Sequence, residues 1–285
     1  MHITPISEHT GARISGLDLG KPLSDEERND LMSAWHQYHL FVFPDQINLT
    51  EQQQIDFCRY FGPIMLNTAG TEIGVVSNKQ SGFTHPGKLS WHMDLAFTPT
   101  PIEALCLYAM VLPKQNTSTW FVNNIEACQT LSSELAAKID ERRVRNIFDM
   151  SINQHVVRYK EEQLSYDWPH VSVPLIQLHP NKNRRAFMCC EMFSDPIEGL
   201  SKADSDCLME EVFAHLYSAE HIVEISWEQN QLIIWDNLAL QHSRRESLIE
   251  RGERTLRRVT ISEENGYEYF SELVETNMPQ FRGDF

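Results

Sequence analysis

The sequence predicts a mainly β fold of the α+β class: an antiparallel sandwich or roll of short strands braced by helices. Ten short runs are rich in β-branched and aromatic residues, as is typical of strands. Helical patterns do not alternate strictly with these runs, which disfavours a doubly wound parallel sheet. The helix signals concentrate in the first half, so we expect helices on one face of the sheets. No repeat or linker divides the 285 residues, and one domain over 1–285 is predicted.

Four helices are predicted from capping residues and from apolar side chains at helical spacing. Ser24 with Glu27 forms a capping box, in which the side chain of each residue accepts a hydrogen bond from the main-chain N–H of the other at the start of a helix. Thr50 with Gln53 forms a second one. The predicted helices are residues 25–38, from 50 to about 62, 124–141, and from 201 to about 218.

The strands are predicted where β-branched and aromatic residues cluster between turn-forming residues. Alternate side chains of such a strand point to opposite faces, which decides which residues can meet. The predicted strands are 39–43, 72–77, 90–97, 104–111, 118–122, 173–178, 184–190, 221–227, 231–236 and 254–261.

The charge balance restricts the possible partners. With 24 basic and 40 acidic residues the formal charge is −16, which argues against nucleic acid and anionic membranes as partners. A small anion can still bind where a few arginines form a local basic pocket. The N-terminus lacks the pattern of a signal peptide, the longest apolar run (Leu105 to Leu112) is too short to span a membrane, and none of the cysteines forms a C-x-x-C pair. We therefore expect a reduced, cytoplasmic protein, and homo-oligomerisation is left open.

A candidate metal site lies in the predicted strand 90–97. His92 and Asp94 are two residues apart and so are expected on one face, where an imidazole and a carboxylate supply two neighbouring ligand positions. A non-haem Fe(II) oxygenase requires one further histidine and leaves the remaining positions open. Taken alone, this pair has an alternative interpretation: two polar residues on a solvated face of a strand.

A candidate anion site lies in the predicted strand 254–261. Arg254 and Arg258 are four residues apart and therefore share a face. Two neighbouring guanidiniums repel each other unless an anion lies between them, and arginine is suited to bidentate carboxylate binding. Arg257 is predicted to face the other way, as a surface charge.

The order of these motifs resembles the taurine / 2,4-dichlorophenoxyacetate dioxygenases, a family of Fe(II)- and 2-oxoglutarate-dependent enzymes. The resemblance runs from Ile3 almost to Ser262 and implies a double-stranded β-helix, or jelly roll. The motifs that carry it are Gly11-Ala-Arg-Ile-Ser-Gly-Leu-Asp-Leu, Phe61-Gly, Trp91-His-Met-Asp-Leu-Ala-Phe, Thr119-Trp-Phe-Val-Asn, His179-Pro, Glu191-Met-Phe193, Trp235-Asp-Asn and Arg254-x-x-x-Arg258.

The resemblance implies a role for each matching residue. His92, Asp94 and His242 correspond to the iron ligands. The 2-oxoglutarate carboxylate would be bound by Thr119 and Arg254.

On the substrate side, the resemblance implies that Arg258 contacts an anionic group. The other expected substrate-binding residues are Asn67, Lys88 and Phe193. Asn67 stands where taurine dioxygenase has a histidine and Lys88 where it has an asparagine, which makes taurine a poor candidate. Residues 79–88 are predicted to form a mobile lid, and Trp235-Asp-Asn237 to shape the turn before His242.

The implied reaction uses Fe(II), 2-oxoglutarate and O2 to oxidise an unactivated C–H bond of a small anionic molecule, with release of succinate and CO2. Hydroxylation is favoured because halogenating relatives lack the carboxylate that Asp94 supplies. Two alternatives stay open: a cupin-like isomerase or hydrolase that uses another divalent metal, and a non-catalytic ligand-binding protein on the same fold.

Overall fold

The computed structural model describes residues 1–67, 69–79, 87–115, 117–149, 168–248, 252–266 and 268–269. The strands within these ranges are β1 His2–Pro5, β2 Ala12–Ser15, β3 Leu40–Phe43, β4 Gly74–Ser77, β5 Leu89–His92, β6 Ala104–Val111, β7 Ser118–Asn123, β8 Arg143–Ile147, β9 His170–Pro174, β10 Ile176–Leu178, β11 Arg185–Phe187, β12 Ser194–Ile197, β13 Ile222–Ser226, β14 Leu232–Asp236, β15 Leu240–Arg244 and β16 Thr255–Ile261. The α-helices are α1 Asp25–Tyr38, α2 Glu51–Cys58, α3 Asn124–Gln129, α4 Ser133–Ile139 and α5 Lys202–Leu216.

Two sheets face each other across the main core. The larger sheet has seven strands in the order β1-β2-β3-β14-β6-β16-β4, and the smaller has four in the order β13-β7-β15-β5. All of their pairings are antiparallel except that of β2 with β3. Leu107 and Trp235 from the larger sheet meet Phe121 and Leu240 from the smaller one in this core. The prediction of a mainly β fold is therefore confirmed.

The strands of the larger sheet are apolar on both faces because both faces are covered. In β14, Ile233 and Trp235 point into the core between the sheets, whereas Leu232 and Ile234 point outward to a second core that includes residues of α1 and α2. Such strands read as continuous apolar runs, which explains why they were recognisable in the sequence.

The helices cover both outer faces, so the prediction of helices on one face only is wrong. Helices α1 and α2 pack on the larger sheet, as expected from their position in the chain. The outer face of the smaller sheet, represented by Val122, packs against Leu135 of α4 and Met209 of α5. Apolar residues on that outer face must be buried by another layer, which helices α4 and α5 supply here.

Several element boundaries differ from the prediction. Ser132 caps a new helix, so the predicted helix 124–141 is two helices, α3 and α4. The predicted helix from residue 50 ends at Cys58 rather than near Gly62. The strand predicted over 90–97 ends at His92. Strands β1, β2, β8, β12 and β15 were not predicted, because they are short and carry polar residues.

The structure also bears on the expectations about the cysteines and about membrane-spanning segments. All six cysteines are free thiols. Within the ranges described above, no helix is both long and apolar enough to cross a membrane.

Candidate active site

Three side chains that can ligate a metal converge between the two sheets. His92 at the end of β5 and His242 in β15 are direct cross-strand partners. Oδ1 of Asp94 lies 3.4 Å from Nε2 of His92 and 3.7 Å from Nε2 of His242. One ligand atom from each residue lies within 4.8 Å of the others, a separation that a single ion could bridge.

The main chain places Asp94 by a turn rather than by strand alternation, contrary to the prediction that His92 and Asp94 share a face of one strand. Strand β5 ends at His92, and Leu95 adopts the left-handed conformation with φ 56°. The Asn237 side chain holds this turn: its Oδ1 accepts the Asp94 N–H at 3.0 Å and its Nδ2 donates to the Asp94 carbonyl at 3.1 Å.

The protonation states of the three residues suit metal binding. Nδ1 of His92 lies 2.8 Å from the Ser90 carbonyl, which can only accept, so Nδ1 carries the proton and Nε2 presents its lone pair. Burial and the neighbouring His92 lower the pKa of His242 to about 3, which keeps this imidazole neutral. Metal ligands must be deprotonated in this way.

Asp94 is ionised and held by Arg258. Burial alone would raise the pKa of Asp94, but the charge of Arg258, together with the adjacent His92 and His242, holds that pKa well below its usual range. Nη2 of Arg258 lies 3.1 Å from Oδ2 of Asp94. Because Oδ2 faces the guanidinium, Oδ1 is the oxygen directed toward the two histidines.

A second basic pocket contains Thr119 and Arg254. Nε1 of Trp227 donates to Oγ1 of Thr119 at 3.0 Å, and the Arg254 guanidinium lies 5.4 Å from the centre of the Trp227 ring. Burial, with the nearby Arg244, lowers the pKa of Arg254 to about 9. Nε of Arg254 is buried without a hydrogen-bond partner among the described residues. A buried cation of this kind is stabilised when an anion enters the pocket.

Arg244 is a buried arginine of this region that the sequence analysis missed. It follows His242 by two residues in β15 and therefore shares its face. Its Nε and Nη2 donate to the Gly87 carbonyl at 3.2 and 2.6 Å, just before β5 begins. The two-residue spacing from His242 was the signal that could have found it.

Phe193 lies beside the metal-ligand cluster in an aromatic group. Its ring packs edge-on against His92 with a centroid distance of 6.3 Å. Phe97 lies 5.1 Å from Phe193, and Phe148 lies 4.7 Å from Phe97. These three phenylalanines give the cluster an apolar wall, and two of them were absent from the predicted set.

Of the two remaining substrate candidates, Asn67 is half-buried and Lys88 lies at the surface. Nδ2 of Asn67 donates to Oγ1 of Thr71 and to the Ile73 carbonyl, while its Oδ1 accepts two main-chain N–H groups of the same turn. Lys88 is exposed ahead of β5. Residues 80–86 of the predicted lid lie outside the described residues, so the lid and both substrate contacts stay predictions.

Arg257 is not the surface charge that was predicted. It does face away from Arg258, toward α2, but it is buried there. Its Nε donates to Oε1 of Gln54 at 2.7 Å and its Nη2 to the Leu49 carbonyl at 2.6 Å. The second apolar core covers that face of the larger sheet, and the strand pattern alone did not reveal this cover.

The sequence matches one protein-family model and several known proteins. The family model described as "Taurine catabolism dioxygenase TauD, TfdA family" matches residues 2–260. An (S)-phenoxypropionate/alpha-ketoglutarate-dioxygenase of Sphingobium herbicidovorans is 28% identical over 84% of this chain and 88% of its own length. An alpha-ketoglutarate-dependent sulfate ester dioxygenase of Pseudomonas putida is 27% identical over 85% of this chain and 83% of its own.

Solved structures show the same fold. The crystal structure of AAD-2 in complex with Mn(II) and N-oxalylglycine has a TM-score of 0.76 and 26% identity, covering 93% of this chain and 98% of its own. A putative alpha-ketoglutarate-dependent taurine dioxygenase from Burkholderia xenovorans has a TM-score of 0.77 and 26% identity, covering 92% of both chains. The predicted jelly roll braced by helices is thereby confirmed.

Proposed function

The chain belongs to the TauD/TfdA family of 2-oxoglutarate-dependent dioxygenases, and we propose that it hydroxylates an unactivated C–H bond of a small anion with an apolar body. Membership implies an oxidoreductase that uses Fe(II), 2-oxoglutarate and O2. The observation that carries the proposal is the cluster of His92, Asp94 and His242, with Arg258 against it.

His92, Asp94 and His242 are the proposed iron ligands. The two neutral imidazoles and the ionised carboxylate are the donor set of a facial triad, in which three positions stay open. When bound, Fe(II), 2-oxoglutarate and O2 supply the oxidising power, since the co-substrate loses CO2 to become succinate and one oxygen atom reaches the C–H bond. The protein residues keep the donors deprotonated and aligned before these partners bind.

Thr119 and Arg254 are the proposed ligands of a 2-oxoglutarate carboxylate. The hydroxyl and the guanidinium meet at Trp227, so one carboxylate can accept from both. The similar AAD-2 is known in complex with N-oxalylglycine, an analogue of 2-oxoglutarate, which supports a 2-oxoglutarate site in this fold. A carboxylate at this place would also offset the cost of burying Arg254.

The substrate is proposed to have an anionic group and an apolar part. Arg258 would bind the anion next to the metal, and the Phe97, Phe148 and Phe193 wall would pack against an aryl or alkyl portion and exclude water. Asn67 and Lys88 are the remaining proposed contacts, at the outer edge. Relatives named for phenoxypropionate and for sulfate esters fit this class.

The test is coupled turnover with Fe(II), 2-oxoglutarate and a panel of phenoxyalkanoates, alkyl sulfates, sulfonates and aliphatic carboxylates, with succinate and hydroxylated product both measured. We expect His92→Ala and His242→Ala to abolish succinate formation. His170→Ala is the matched control, because its Nδ1 makes the same 2.8 Å contact to a carbonyl two residues earlier but lies in β9. Full succinate formation by His92→Ala would refute the iron assignment.

A separate kinetic measurement tests the proposed substrate class. Arg258→Met should raise KM for anionic substrates, and neutral isosteres of the best anion should turn over poorly in the unmodified enzyme. Equal turnover of anion and neutral isostere would refute the anionic class while leaving the dioxygenase activity intact. An absence of any visible band on anaerobic addition of 2-oxoglutarate to the Fe(II) protein would instead favour the cupin-like alternative.

A further inference from the structure

The turn between β14 and β15 reaches the metal-ligand cluster through one side chain. We infer that Asn237 is a positioning residue, which sets the metal affinity of the site by holding the main chain of Asp94. The inference rests on the proposed metal ligands and concerns a residue that does not itself touch the metal position.

Asn237 is fully buried and all of its amide atoms are used. Oδ1 accepts the Asp94 N–H at 3.0 Å, and Nδ2 donates to the carbonyls of Asp94 at 3.1 Å and Ile102 at 2.8 Å. A single amide thus supplies Asp94 with both main-chain bonds that a neighbouring strand would otherwise give.

The main chain at Asp94 needs such support. Strand β5 has already ended at His92, and Leu95, which directly follows Asp94, adopts a left-handed conformation. That conformation costs a non-glycine residue about 1–2 kcal/mol and persists only where its surroundings impose it. Because the direction of the Asp94 side chain follows from this backbone, the amide of Asn237 also aims the carboxylate.

The same turn connects Asp94 to His242. Oδ1 of Asp236 accepts the N–H groups of Leu238 and Ala239 at 3.1 and 3.0 Å, which fixes the turn from which β15 starts. His242 follows five residues after Asn237 in this segment. One short stretch therefore places a ligand on its own strand and clamps a second ligand from a distant part of the chain.

A matched control separates this role from ordinary packing. Asn146 is also an asparagine buried in the core, and its Nδ2 donates to the carbonyls of Ala96 at 3.0 Å and Met188 at 3.1 Å. Its Oδ1 accepts from Ser194. Substitution by alanine removes three hydrogen bonds at either position, but only Asn237 bonds to a proposed metal ligand.

The experiment titrates the metal-free, full-length protein with Co(II) alone and records its visible d–d absorption, while circular dichroism and thermal unfolding report the folded fraction. We expect Asn237→Ala to weaken Co(II) binding by about 10–100-fold, as loss of groups that orient metal ligands does. The d–d band of the bound ion should also change. Asn146→Ala should lose stability but keep the Co(II) affinity and band of the unmodified chain.

Asn237→Ser introduces no charge and leaves one hydroxyl in place of the amide, so it should bind Co(II) with intermediate affinity. It decides the question in the same way if Asn237→Ala does not fold. A Co(II) affinity equal to that of Asn146→Ala would overturn the inference. Failure of the unmodified chain to bind Co(II) would instead contradict the proposed metal ligands, and the inference would fall with them.

Discussion

The strongest stability prediction concerns a buried ion pair beside the same turn. Oδ2 of Asp236 lies 3.1 Å from Nζ of Lys182, and both side chains are nearly inaccessible, with 6% and 2% exposed. His179 donates its Nε2–H to Oδ1 of Asp236, since its Nδ1 accepts the Asn181 N–H. The perturbation is Asp236→Asn, which keeps the shape and the Oδ1 acceptor but removes the charge.

The expected loss of stability arises because Asp236→Asn leaves the buried ammonium group of Lys182 without its counter-ion. Lys182 has no bulk water to solvate it, and its other described contacts are the Trp35 carbonyl at 3.1 Å and the Trp35 ring at 5.5 Å. Burial already lowers the pKa of Lys182. Removing one partner of a buried ion pair costs about 3–5 kcal/mol, a large share of the 5–15 kcal/mol that stabilises a typical domain.

The pH dependence has a defined sign. Burial would raise the pKa of Asp236, but the hydrogen bond from His179 and the charge of Lys182 hold that pKa below its usual range. The stabilisation is therefore complete above the unfolded pKa of about 3.9 and is lost as the pH falls below it. The difference between the unmodified chain and Asp236→Asn should be constant from pH 5 to 7 and should shrink toward pH 2.

The assay is urea unfolding at a series of pH values, with Lys182→Met and the double variant completing a mutant cycle. The double variant should be more stable than the sum of the single losses predicts, because neither charge is then left unpaired. A loss below about 1 kcal/mol at pH 7 for Asp236→Asn, or a loss independent of pH, would refute a buried pair and indicate a solvated carboxylate.

Three further predictions concern the arginines and the metal. Arg244→Gln removes two charge-assisted bonds to Gly87 and should lower the free energy of unfolding by about 1–3 kcal/mol. The adjacent Arg245 rests on the Trp120 ring at 4.2 Å, so Arg245→Gln should cost only about 0.5–1 kcal/mol; equal losses would contradict the burial of Arg244. Arg257→Met should destabilise the chain in urea unfolding without changing the affinity for 2-oxoglutarate. Chelation of Fe(II) should lower Tm in calorimetry, and an unchanged Tm would argue against a metal bound only by the folded state.

The sequence predicted the fold class, which the comparisons confirm, and it predicted the three residues that are the proposed metal ligands. Long apolar strands such as β6 and β14 were recognisable because their residues are buried on both faces. The capping box at Ser24 predicted the start of α1 because the capping hydrogen bonds are local. The convergence of His92, Asp94 and His242 followed from a family resemblance, since no local rule relates residues so far apart in the chain.

The remaining features depend on tertiary contacts that no local pattern contains. Strand alternation correctly predicted that Asp94 lies near His92, but the reason was wrong. Asp94 is placed there by a turn that Asn237 holds, not by a continued strand. Arg257 was assigned to the surface because the pattern gave its face of the strand but not the α2 layer that covers it. In both cases the missing information was a contact from a distant segment.

The residues of the candidate site come from two different sheets, so the contacts between the sheets affect how the site binds its ligands. The histidines and Thr119 come from the smaller sheet, whereas Arg254 and Arg258 flank or occupy β16 of the larger one. The ion pair of Arg258 with Asp94 therefore joins the sheets across the core. An anion bound by these arginines and by a metal on the opposite sheet would strengthen the same packing that creates the site. Binding of the metal and the anion should therefore be thermodynamically linked to the packing of the two sheets, and a substitution in the core between them should weaken both affinities in ligand titrations.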